Sequence, residues 1–357
     1  MSHSKIIPIG VAKQFIERLM ARLDVDQTHA KALAEVLVAG DYRGHFSHGL
    51  NRIEIYIKDI QENSCRKTGQ PKILKETAAT AWVDGQNLLG PVVGRFCMNL
   101  AIEKAKHCGV GWVCAKGSNH FGIAGYYSMM ALEHRFLGMS FTNASPLMSV
   151  TRSKEPFFGT NPISLSAPSS AQNDDFVLDM ATSVVALGKI EFASRKNESI
   201  PSDWVIDKNG HSTTDPNQFH ALLPLGGPES SSGYKGYGLA TLVEILTSIL
   251  AGATSAPNVR KWTANSDEAN LGQCFVAIDP NCFAPGFEDR MQTLNKNLRS
   301  QDPVVPSQPI LVHGDPERSH MEKCQQLGGI EYHNNIIQMT ERLAKKFQIN
   351  PMESIAK

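Results

Sequence analysis

The segment GVGWVCAKGSNHFG, residues 109–122, decides which fold the chain can adopt. It predicts a β-strand that runs into a loop, and Gly109 and Gly111 begin the glycine pattern of dinucleotide-binding folds. The third glycine of that pattern is missing, because Cys114 stands in its place. The segment also lacks the strand, turn, helix and acidic-residue context that makes the pattern persuasive. It therefore does not support a Rossmann domain.

Helices and short strands alternate on both sides of this segment. Residues 26–60 predict two helices, with Asp26 as the N-cap of the first and Ser47 as the N-cap of the second. Further strands are predicted at TAATAWVDG, FLGMSFTNAS, NPISLSAPS, FVLDMATS and GQCFVAIDP, further helices over 92–107, 235–252, 287–299, 316–327 and 334–347, and a polar loop over 254–270. The mixture predicts an α/β (α+β mixed) fold. A helical region is expected from both chain ends, residues 1–75 with 300–357, and a strand-rich region over 76–299.

Composition and charge argue against several classes of protein. The 35 basic residues balance the 35 acidic ones, so no global field attracts nucleic acid or an anionic membrane. The apolar run 239–253 is interrupted by Glu244 and is shorter than the roughly 20 residues that span a bilayer. No secretory signal is recognised at the start of the chain, and the odd number of cysteines without a CxxC pair indicates free thiols. We expect a cytoplasmic protein that binds neither nucleic acid nor membrane.

A polar stripe lies in SHGLNRIEIYI, residues 47–57. His48, Arg52 and Tyr56 are four residues apart, so in a helix they share one side, roughly 120° from the apolar side. The apolar side is formed by Leu50, Ile53, Ile57 and Ile60. By itself such a stripe is more often a solvated helix face. It also suits a small 2-oxo or 2-hydroxy acid, because arginine grips a carboxylate with two hydrogen bonds and histidine exchanges a proton with the neighbouring oxygen.

Several polar residues have simpler interpretations that stay open. As N-cap, Ser47 would place His48 in a first helical turn, whose positive end lowers the histidine pKa. A hydrolase dyad of these two is not predicted, because adjacent residues rarely bring hydroxyl and imidazole within hydrogen-bond reach. His45 and His48 lack carboxylates or thiolates at metal-ligand spacing, so no metal site is predicted. Asn161 precedes a proline and is expected to be extended. Lys235, between glycines at a predicted helix start, suits either phosphate or solvent.

Eight segments in sequence order resemble the malate/L-lactate dehydrogenase family, which also contains sulfolactate, ureidoglycolate, diketogulonate and cyclic-imine (piperideine-carboxylate) reducing enzymes. The segments are SHGLNR, VDGQNLLGPVVG, SNHFGIAGYY, GTNPISLSAP, VLDMATSVVALGKI, IPSDWVIDKNGHSTTDP, LLPLGG and YKGYGLATLVEIL. The resemblance implies a nicotinamide-dependent oxidoreductase with a non-Rossmann cofactor region on a mainly antiparallel sheet. It implies a homodimer with the active site at the subunit interface. The expected substrate is a small 2-oxo or 2-hydroxy acid such as malate, lactate or sulfolactate, and the expected cofactor is NAD or NADP, with NAD favoured.

The resemblance also implies roles for individual residues. His48 would be the general acid/base and Arg52 the clamp for the substrate carboxylate, with Tyr56 as a pocket wall. His120 would be a second candidate for proton transfer. Ser47 is counted with the catalytic residues, and so is Asp179, which would orient the histidine or lie along the cofactor. Thr160 and Asn161 would lie near the substrate. The residues implied for the cofactor are Asn119, Phe121, Gly122, Ser145, Asp179, Met180, Ala181, Lys235, Gly236, His313, Gly314 and Asp315.

Two segments depart from the family pattern. TRSKEPFF, residues 151–158, replaces a PWGG-like turn and adds Arg152 and Lys154, which are candidates for contacting the 2′-phosphate of NADP. His313-Gly314-Asp315 replaces PGE, and losing the proline removes a constraint on the backbone φ angle. Three alternatives accompany the main hypothesis: a non-catalytic ligand-binding protein on the same fold, a cyclic-imine reductase of the same family, and a metal-dependent lyase that uses the histidines.

Overall fold

The computed structural model describes residues 4–261 and 267–355. Its helices are α1 (Ile9–Ala21), α2 (Gln27–Tyr42), α3 (Ile53–Gln61), α4 (Gly90–Cys108), α5 (Ala124–Met130), α6 (Leu187–Lys196), α7 (Gly233–Glu244), α8 (Phe287–Arg299), α9 (Asp315–Leu327) and α10 (Asn334–Phe347). Its strands are β1 (Lys5–Ile7), β2 (Lys72–Glu76), β3 (Thr80–Asp84), β4 (Val110–Ser118), β5 (Leu137–Thr142), β6 (Met148–Ser149), β7 (Pro156–Phe158), β8 (Ile163–Ala167), β9 (Phe176–Met180), β10 (Val205–Ile206), β11 (Ala221–Leu222), β12 (Leu271–Ile278) and β13 (Ile330–Tyr332). The predicted mixture of helices and strands is confirmed.

The largest sheet of the described residues has the strand order β2-β3-β4-β12-β5-β8-β9. Only β3 and β4 are parallel within it, so the sheet is mainly antiparallel, as the family resemblance implied. The central strand β12 reads LGQCFVAI and is buried over nearly its whole length. Phe275 packs with α4 and α5 on one face of the sheet, and Val276 packs with Val243 of α7 on the other. Because both faces are covered, residues 274–278 of the strand form an uninterrupted apolar run.

The two chain ends meet in one helical layer. Strand β1 pairs with β13 in antiparallel register, and Ile6 forms a further bridge to Ile355. One buried apolar cluster joins residues of α1, α2, α3 and α10. Leu50, Ile53, Ile57 and Ile60 all belong to this cluster, so the predicted apolar side is confirmed. Leu89, which precedes α4, packs in the same cluster, and the division into 1–75 with 300–357 against 76–299 stays a prediction.

A smaller sheet, in the order β10-β11-β6-β7, carries its own core with α6. Its strands are only two or three residues long, so the sequence offered no alternating pattern from which to predict this sheet. The core is formed by Met148, Phe158, Ile190, Val205 and Leu222, with other neighbouring apolar residues. Residues 151–158, where the sequence departs from the family pattern, therefore form an edge of this sheet, in strand β7 and the turn before it.

Three local predictions differ from the structure. Ser47 does not cap a helix, because two 3₁₀ turns, Phe46–His48 and Leu50–Arg52, precede α3 and are separated by Gly49. Asn161 is not extended but has φ +34°, a left-handed conformation that asparagine tolerates better than most residues. The helix predicted over 235–252 continues past α7 as a π-helix, Ile245–Ile249.

Other predictions of local structure are confirmed or fall outside the described residues. The N-cap prediction for Asp26 is confirmed, since its side chain accepts a 2.8 Å hydrogen bond from the backbone of Thr28. The predicted loop 254–270 includes residues 262–266, which lie outside the described residues. No helix among residues 4–261 and 267–355 is long and apolar enough to cross a membrane.

Candidate active site

Residues 45–52 form a compact double turn that presents His48 and Arg52. The His48 amide donates to the carbonyl of His45 at 2.9 Å, and the Arg52 amide donates to that of Gly49 at 3.0 Å. Arg52 also donates from Nε to the Ser47 carbonyl at 2.5 Å, which fixes the base of its guanidinium. The Ser47 hydroxyl lies 2.8 Å from Nδ1 of His48. The expectation that these adjacent side chains would not reach each other is therefore wrong, because the 3₁₀ turn folds them onto one side.

His48 meets a second histidine from a distant part of the chain. The loop between β4 and α5 places His120 parallel to His48, with ring centroids 5.7 Å apart and an interplanar angle of 18°. Tyr56 of α3 is 2% exposed. Its hydroxyl lies 2.7 Å from Nδ1 of His120 and donates to the carbonyl of the same residue at 3.2 Å. The three side chains thus form one cluster, and Tyr56 contacts a titratable group directly.

The surroundings of the cluster favour the neutral form of both histidines. Burial lowers the pKa of His48 to about 4, and the positive charges of Arg52 and His45 act in the same direction. Burial also lowers the pKa of His120 well below its usual value, with His48 and Arg52 adding to the effect. The predicted direction for His48 is right, but the cause is desolvation and not a helix end. A neutral imidazole can accept a proton or donate a hydrogen bond at neutral pH.

Asp179 lies near the end of β9, and its hydrogen bond goes to the backbone. One oxygen accepts from the amide of Gly125, at the start of α5, at 2.7 Å. Burial raises the pKa of Asp179, while the positive charges of His45 and Arg43 oppose that shift. The carboxylate forms no hydrogen bond with His48 among the described residues. The idea that Asp179 orients His48 directly is therefore not supported, and its place along the cofactor stays a prediction.

His45 lies against a carboxylate, which gives the His45–His48 pair a structural explanation. Its Nε2 lies 3.3 Å from the carboxylate of Glu317 in α9. Within residues 4–261 and 267–355, no group of three or more histidine, cysteine, aspartate or glutamate side chains is placed to hold a metal ion. Sequence reasoning missed Glu317, because it lies far along the chain and no local pattern marks it.

Three segments implied for substrate and cofactor lie side by side. The amide of Thr182, just after Met180 and Ala181, donates to the carbonyl of Thr160 at 2.9 Å, and the amide of Leu225 donates to that of Thr182 at 2.8 Å. Gly236 in α7 packs on Leu225 so closely that an added Cβ would lie 2.2 Å from its carbonyl oxygen. Lys235 is exposed in the first turn of α7. The fold therefore gathers these segments at one place.

Asn161 takes a structural position within this group. It is fully buried, and its Nδ2 donates to Glu244 at 2.9 Å and to the carbonyl of Ala240 at 3.1 Å. Both partners lie in α7, so the side chain joins that helix to strand β8, which follows Asn161 in the chain. The Asn161 amide nitrogen therefore contacts α7 and not the histidine cluster.

Other residues implied for the cofactor make their contacts within the protein. Asn119 is buried and donates to Asn87 and to the Leu88 carbonyl. Phe121 is 1% exposed and stacks on Tyr127, so its side chain belongs to the core and cannot face a cofactor. Gly122 has φ +80° and packs on the side chain of Val36, and Ser145 donates to the backbone carbonyl of Arg260 at 2.6 Å.

The segment His313-Gly314-Asp315 closes the turn before α9. The His313 carbonyl accepts from the amide of Val177 in β9 at 3.1 Å. Asp315 is ion-paired with Arg299 at 2.8 Å and with Arg318 at 2.6 Å. Burial acts to raise the pKa of Asp315, but the hydrogen bonds from the two arginines hold it well below its usual value. This carboxylate is already engaged, and its contact with a cofactor stays a prediction.

The two added cations border a separate cavity. Arg152 holds Glu229 through two guanidinium nitrogens, with Nε–Oε2 and Nη2–Oε1 distances of 2.9 and 2.6 Å. Lys154 is exposed, and both line a cavity of about 460 Å³ together with residues 209–212 and 227–229. The positive charge of Arg152 is therefore largely balanced by Glu229.

Known proteins resemble the chain over nearly all its length. The family described as malate/L-lactate dehydrogenase matches residues 7–340. The malate/(S)-sulfolactate dehydrogenase of Methanothermus fervidus is 37% identical over 94% of this chain and 96% of its own. The ureidoglycolate dehydrogenase (NAD(+)) of Escherichia coli is 33% identical over 82% of both chains. The solved structure of malate dehydrogenase from Pyrococcus horikoshii OT3 covers 99% of both chains at 34% identity, with a TM-score of 0.89.

Proposed function

Because the chain belongs to the malate/L-lactate dehydrogenase family, we propose that it is a nicotinamide-dependent oxidoreductase that interconverts a small 2-oxo acid and its 2-hydroxy acid. The observation that carries this proposal is the stacking of His48 on His120, 5.7 Å apart, with the positive charge of Arg52 acting on both rings. Malate and sulfolactate are the substrates we expect first, since relatives are named for them, and lactate follows.

The side chains of the turn supply binding and proton transfer. Arg52 binds the substrate carboxylate, because its planar guanidinium matches the two carboxylate oxygens. Ser47 engages Nδ1 of His48, so His48 exchanges its proton with the substrate oxygen through Nε2. When bound, the nicotinamide supplies or accepts a hydride. During reduction negative charge develops on the substrate oxygen, and a proton delivered there stabilises it.

Tyr56 is suited to serve His120 in either protonation state. Its O–H can donate to Nδ1 of the neutral ring at 2.7 Å, which leaves the proton of the imidazole on Nε2. When Nδ1 carries a proton, the tyrosine oxygen can accept it while the O–H donates to the His120 carbonyl at 3.2 Å. This double partnership supports His120 as the alternative proton donor, and it gives Tyr56 more than the role of a pocket wall.

The residues around the start of α7 fit a phosphate-bearing cofactor. Lys235 is exposed there, and the missing side chain of Gly236 lets the helix approach Leu225. Backbone N–H groups at such a helix end, with a lysine, suit a pyrophosphate. We propose NAD over NADP, because Glu229 already occupies the guanidinium of Arg152 and a relative is named for NAD(+).

A second copy of the chain is the partner we propose, in a homodimer. Leu242, Ile245, Ile249 and Leu250 are each more than 40% exposed, and the first three recur on one side of α7 and the π-helix. A contiguous apolar face of this kind is typical of an interface. We expect Ile249→Lys to produce monomers in multi-angle light scattering, whereas Val304→Lys, at a residue 99% exposed elsewhere, leaves the dimer intact. Monomers in the unmodified protein would contradict the proposal.

We also place the protein in the cytoplasm, since the cysteines of the described residues are free thiols.

The first test is the loss of reduced-nicotinamide absorbance when the purified protein meets a panel of 2-oxo acids and cyclic imines. NADH and NADPH are supplied separately. Turnover of oxaloacetate, sulfopyruvate or pyruvate with NADH is the expected result. Turnover of a cyclic imine alone would move the assignment to imine reduction, and binding of NADH without turnover of any compound would favour a ligand-binding protein.

Single alanine variants then assign the proton-transfer residue. His48→Ala is expected to reduce turnover strongly, and full activity of this variant across pH would pass the role to His120. His107→Ala, which removes an exposed histidine in the last turn of α4, is the matched control and should keep wild-type turnover.

A further inference from the structure

A buried carboxyl group lies directly beneath the turn that carries His48. Asp41 is in the last turn of α2 and is 1% exposed. Its Oδ2 accepts from the amide of Leu50 at 2.9 Å. Gly49 rests on the same carboxyl group, since a Cβ added there would lie 1.8 Å from Oδ1 of Asp41. Gly49 has φ −100°, which other residues adopt readily, so contact with Asp41 is what excludes a side chain at this position.

The carboxyl group has a second partner from the other end of the chain. Tyr332, which is 1% exposed in β13, donates its hydroxyl proton to Oδ2 of Asp41 at 2.8 Å. Because β13 pairs with β1, this contact ties the turn to the strand pair made by the two chain ends. Tyr332 and Cys324 of α9 are the titratable groups against Asp41. Burial raises the pKa of Asp41 to about 7.

The contacts of Asp41 fall between the two residues assigned to chemistry. Asp41 contacts Gly49 and accepts from the Leu50 amide. The side chains of His48 and Arg52, on either side of them in sequence, project from the same turn. Arg52 in turn donates to the carbonyls of Gly49 and Ser47. A displacement of Gly49 would therefore move the imidazole and the guanidinium together.

We propose that Asp41, held by Tyr332, is a positioning residue that fixes the His48–Leu50 turn and thereby sets the placement of the His48 imidazole. This inference rests on the proposed function, in which His48 exchanges a proton with the substrate. Asp41 does not touch the reacting atoms, and its effect passes through Gly49 and Leu50. A misplacement of about 1 Å in a catalytic group can lower turnover by about 100-fold.

The test compares two variants of this contact with a control on the same helix. Asp41→Ala removes the oxygen that accepts both hydrogen bonds, and Tyr332→Phe removes one donor while leaving the carboxyl group in place. The control is Asp26→Ala, which removes the N-cap at the opposite end of α2, far from the turn in sequence. Each variant is measured for kcat, for KM of acid and cofactor, and for the His48 ring titration by NMR.

The expected result is a fall of about 10-fold to about 100-fold in kcat for Asp41→Ala, with a smaller fall in the same direction for Tyr332→Phe. The KM for the cofactor should stay constant. The His48 pKa should move upward toward its usual value, because a loosened turn lets water reach the ring. Asp26→Ala should lower stability while keeping kcat and the His48 titration.

Two results would overturn the inference. One is an unchanged kcat and His48 titration in both variants of the contact. The other is an equal loss of kcat in Asp26→Ala, which would make the effect one of general stability. If the wild-type protein turns over no acid at all, the proposed function fails. The positioning role is then tested without activity, by the His48 titration and by the hydrogen-exchange rate of the Leu50 amide in the same variants.

Discussion

Burial of His48 is expected to place the acidic limb of the pH–rate profile near pH 4. In the oxidation of a 2-hydroxy acid, the general base must be neutral to accept the hydroxyl proton. Burial, aided by Arg52 and His45, lowers the pKa of His48 from 6.5 to about 4, which corresponds to about 3 kcal/mol of preference for the neutral ring. The value of kcat/KM for oxidation should therefore be flat at neutral pH and fall about tenfold per pH unit only below pH 4.

Removing the charge of Arg52 should shift this limb in a defined direction. Arg52→Gln takes away a cation that disfavours protonation of His48, so the pKa of His48 rises. Burial is the largest of the three causes, and Arg52 therefore accounts for less than half of the difference. We expect the limb to rise by about one pH unit or less. A bound substrate carboxylate neutralises Arg52 in the same way, so the limb of kcat should lie above the limb of kcat/KM.

The assay is the initial rate of nicotinamide reduction with a 2-hydroxy acid at saturating cofactor, measured from about pH 3 upward so that the predicted limb is sampled. Circular dichroism at each pH confirms that the protein stays folded. An NMR titration of the His48 ring gives the pKa without substrate. A wild-type limb at pH 6.5, or a limb that moves downward in Arg52→Gln, would refute the argument that burial and Arg52 keep this histidine neutral.

Three further predictions concern Gly49, the buried pair of Asp59 and Arg260, and Lys235. Gly49→Ala should lower the free energy of unfolding by about 1–3 kcal/mol, because its methyl group meets the carboxyl group beneath the turn; a wild-type urea midpoint would show that the turn can shift freely. Asp59→Asn should lower it by about 3–5 kcal/mol, since it leaves Arg260 charged in a pair whose side chains are each 5% exposed, whereas the exposed Glu54→Gln should change it by less than about 1 kcal/mol in the same urea titration. Lys235→Ala should raise the KM for the cofactor about tenfold with little change in that for the acid, and an unchanged cofactor KM would remove Lys235 from the cofactor site.

Much of the secondary structure could be predicted because its signals are local. The apolar spacing of Leu50, Ile53, Ile57 and Ile60 follows the helical period and marks a buried face wherever the helix packs. The N-cap of α2 is visible as Asp26 followed by a helical pattern. The break at Gly49 was missed, because the reason for that glycine is a carboxyl group on another helix.

The candidate site could be predicted in composition but not in geometry. The sequence placed His48, Arg52 and Tyr56 on one side of a helix and named His120 as a second candidate. It did not indicate that Tyr56 reaches His120, 64 positions further along the chain, or that Phe121 turns into the core. The engagement of Asp315 by two arginines likewise depends on helices that meet only in the folded molecule.

The sequence by itself determined most of the longer helices and strands, the family and the residue types that carry the chemistry. These follow from spacing, turn residues and ordered motifs, which depend on neighbours along the chain. Tertiary structure decided that two histidines stack, that burial lowers their pKa values, and that the Asp41 carboxyl group lies against the turn of His48. The physical reason is that desolvation and long-range contact arise only when distant segments pack together, and the pKa of a side chain is set by what surrounds it in space.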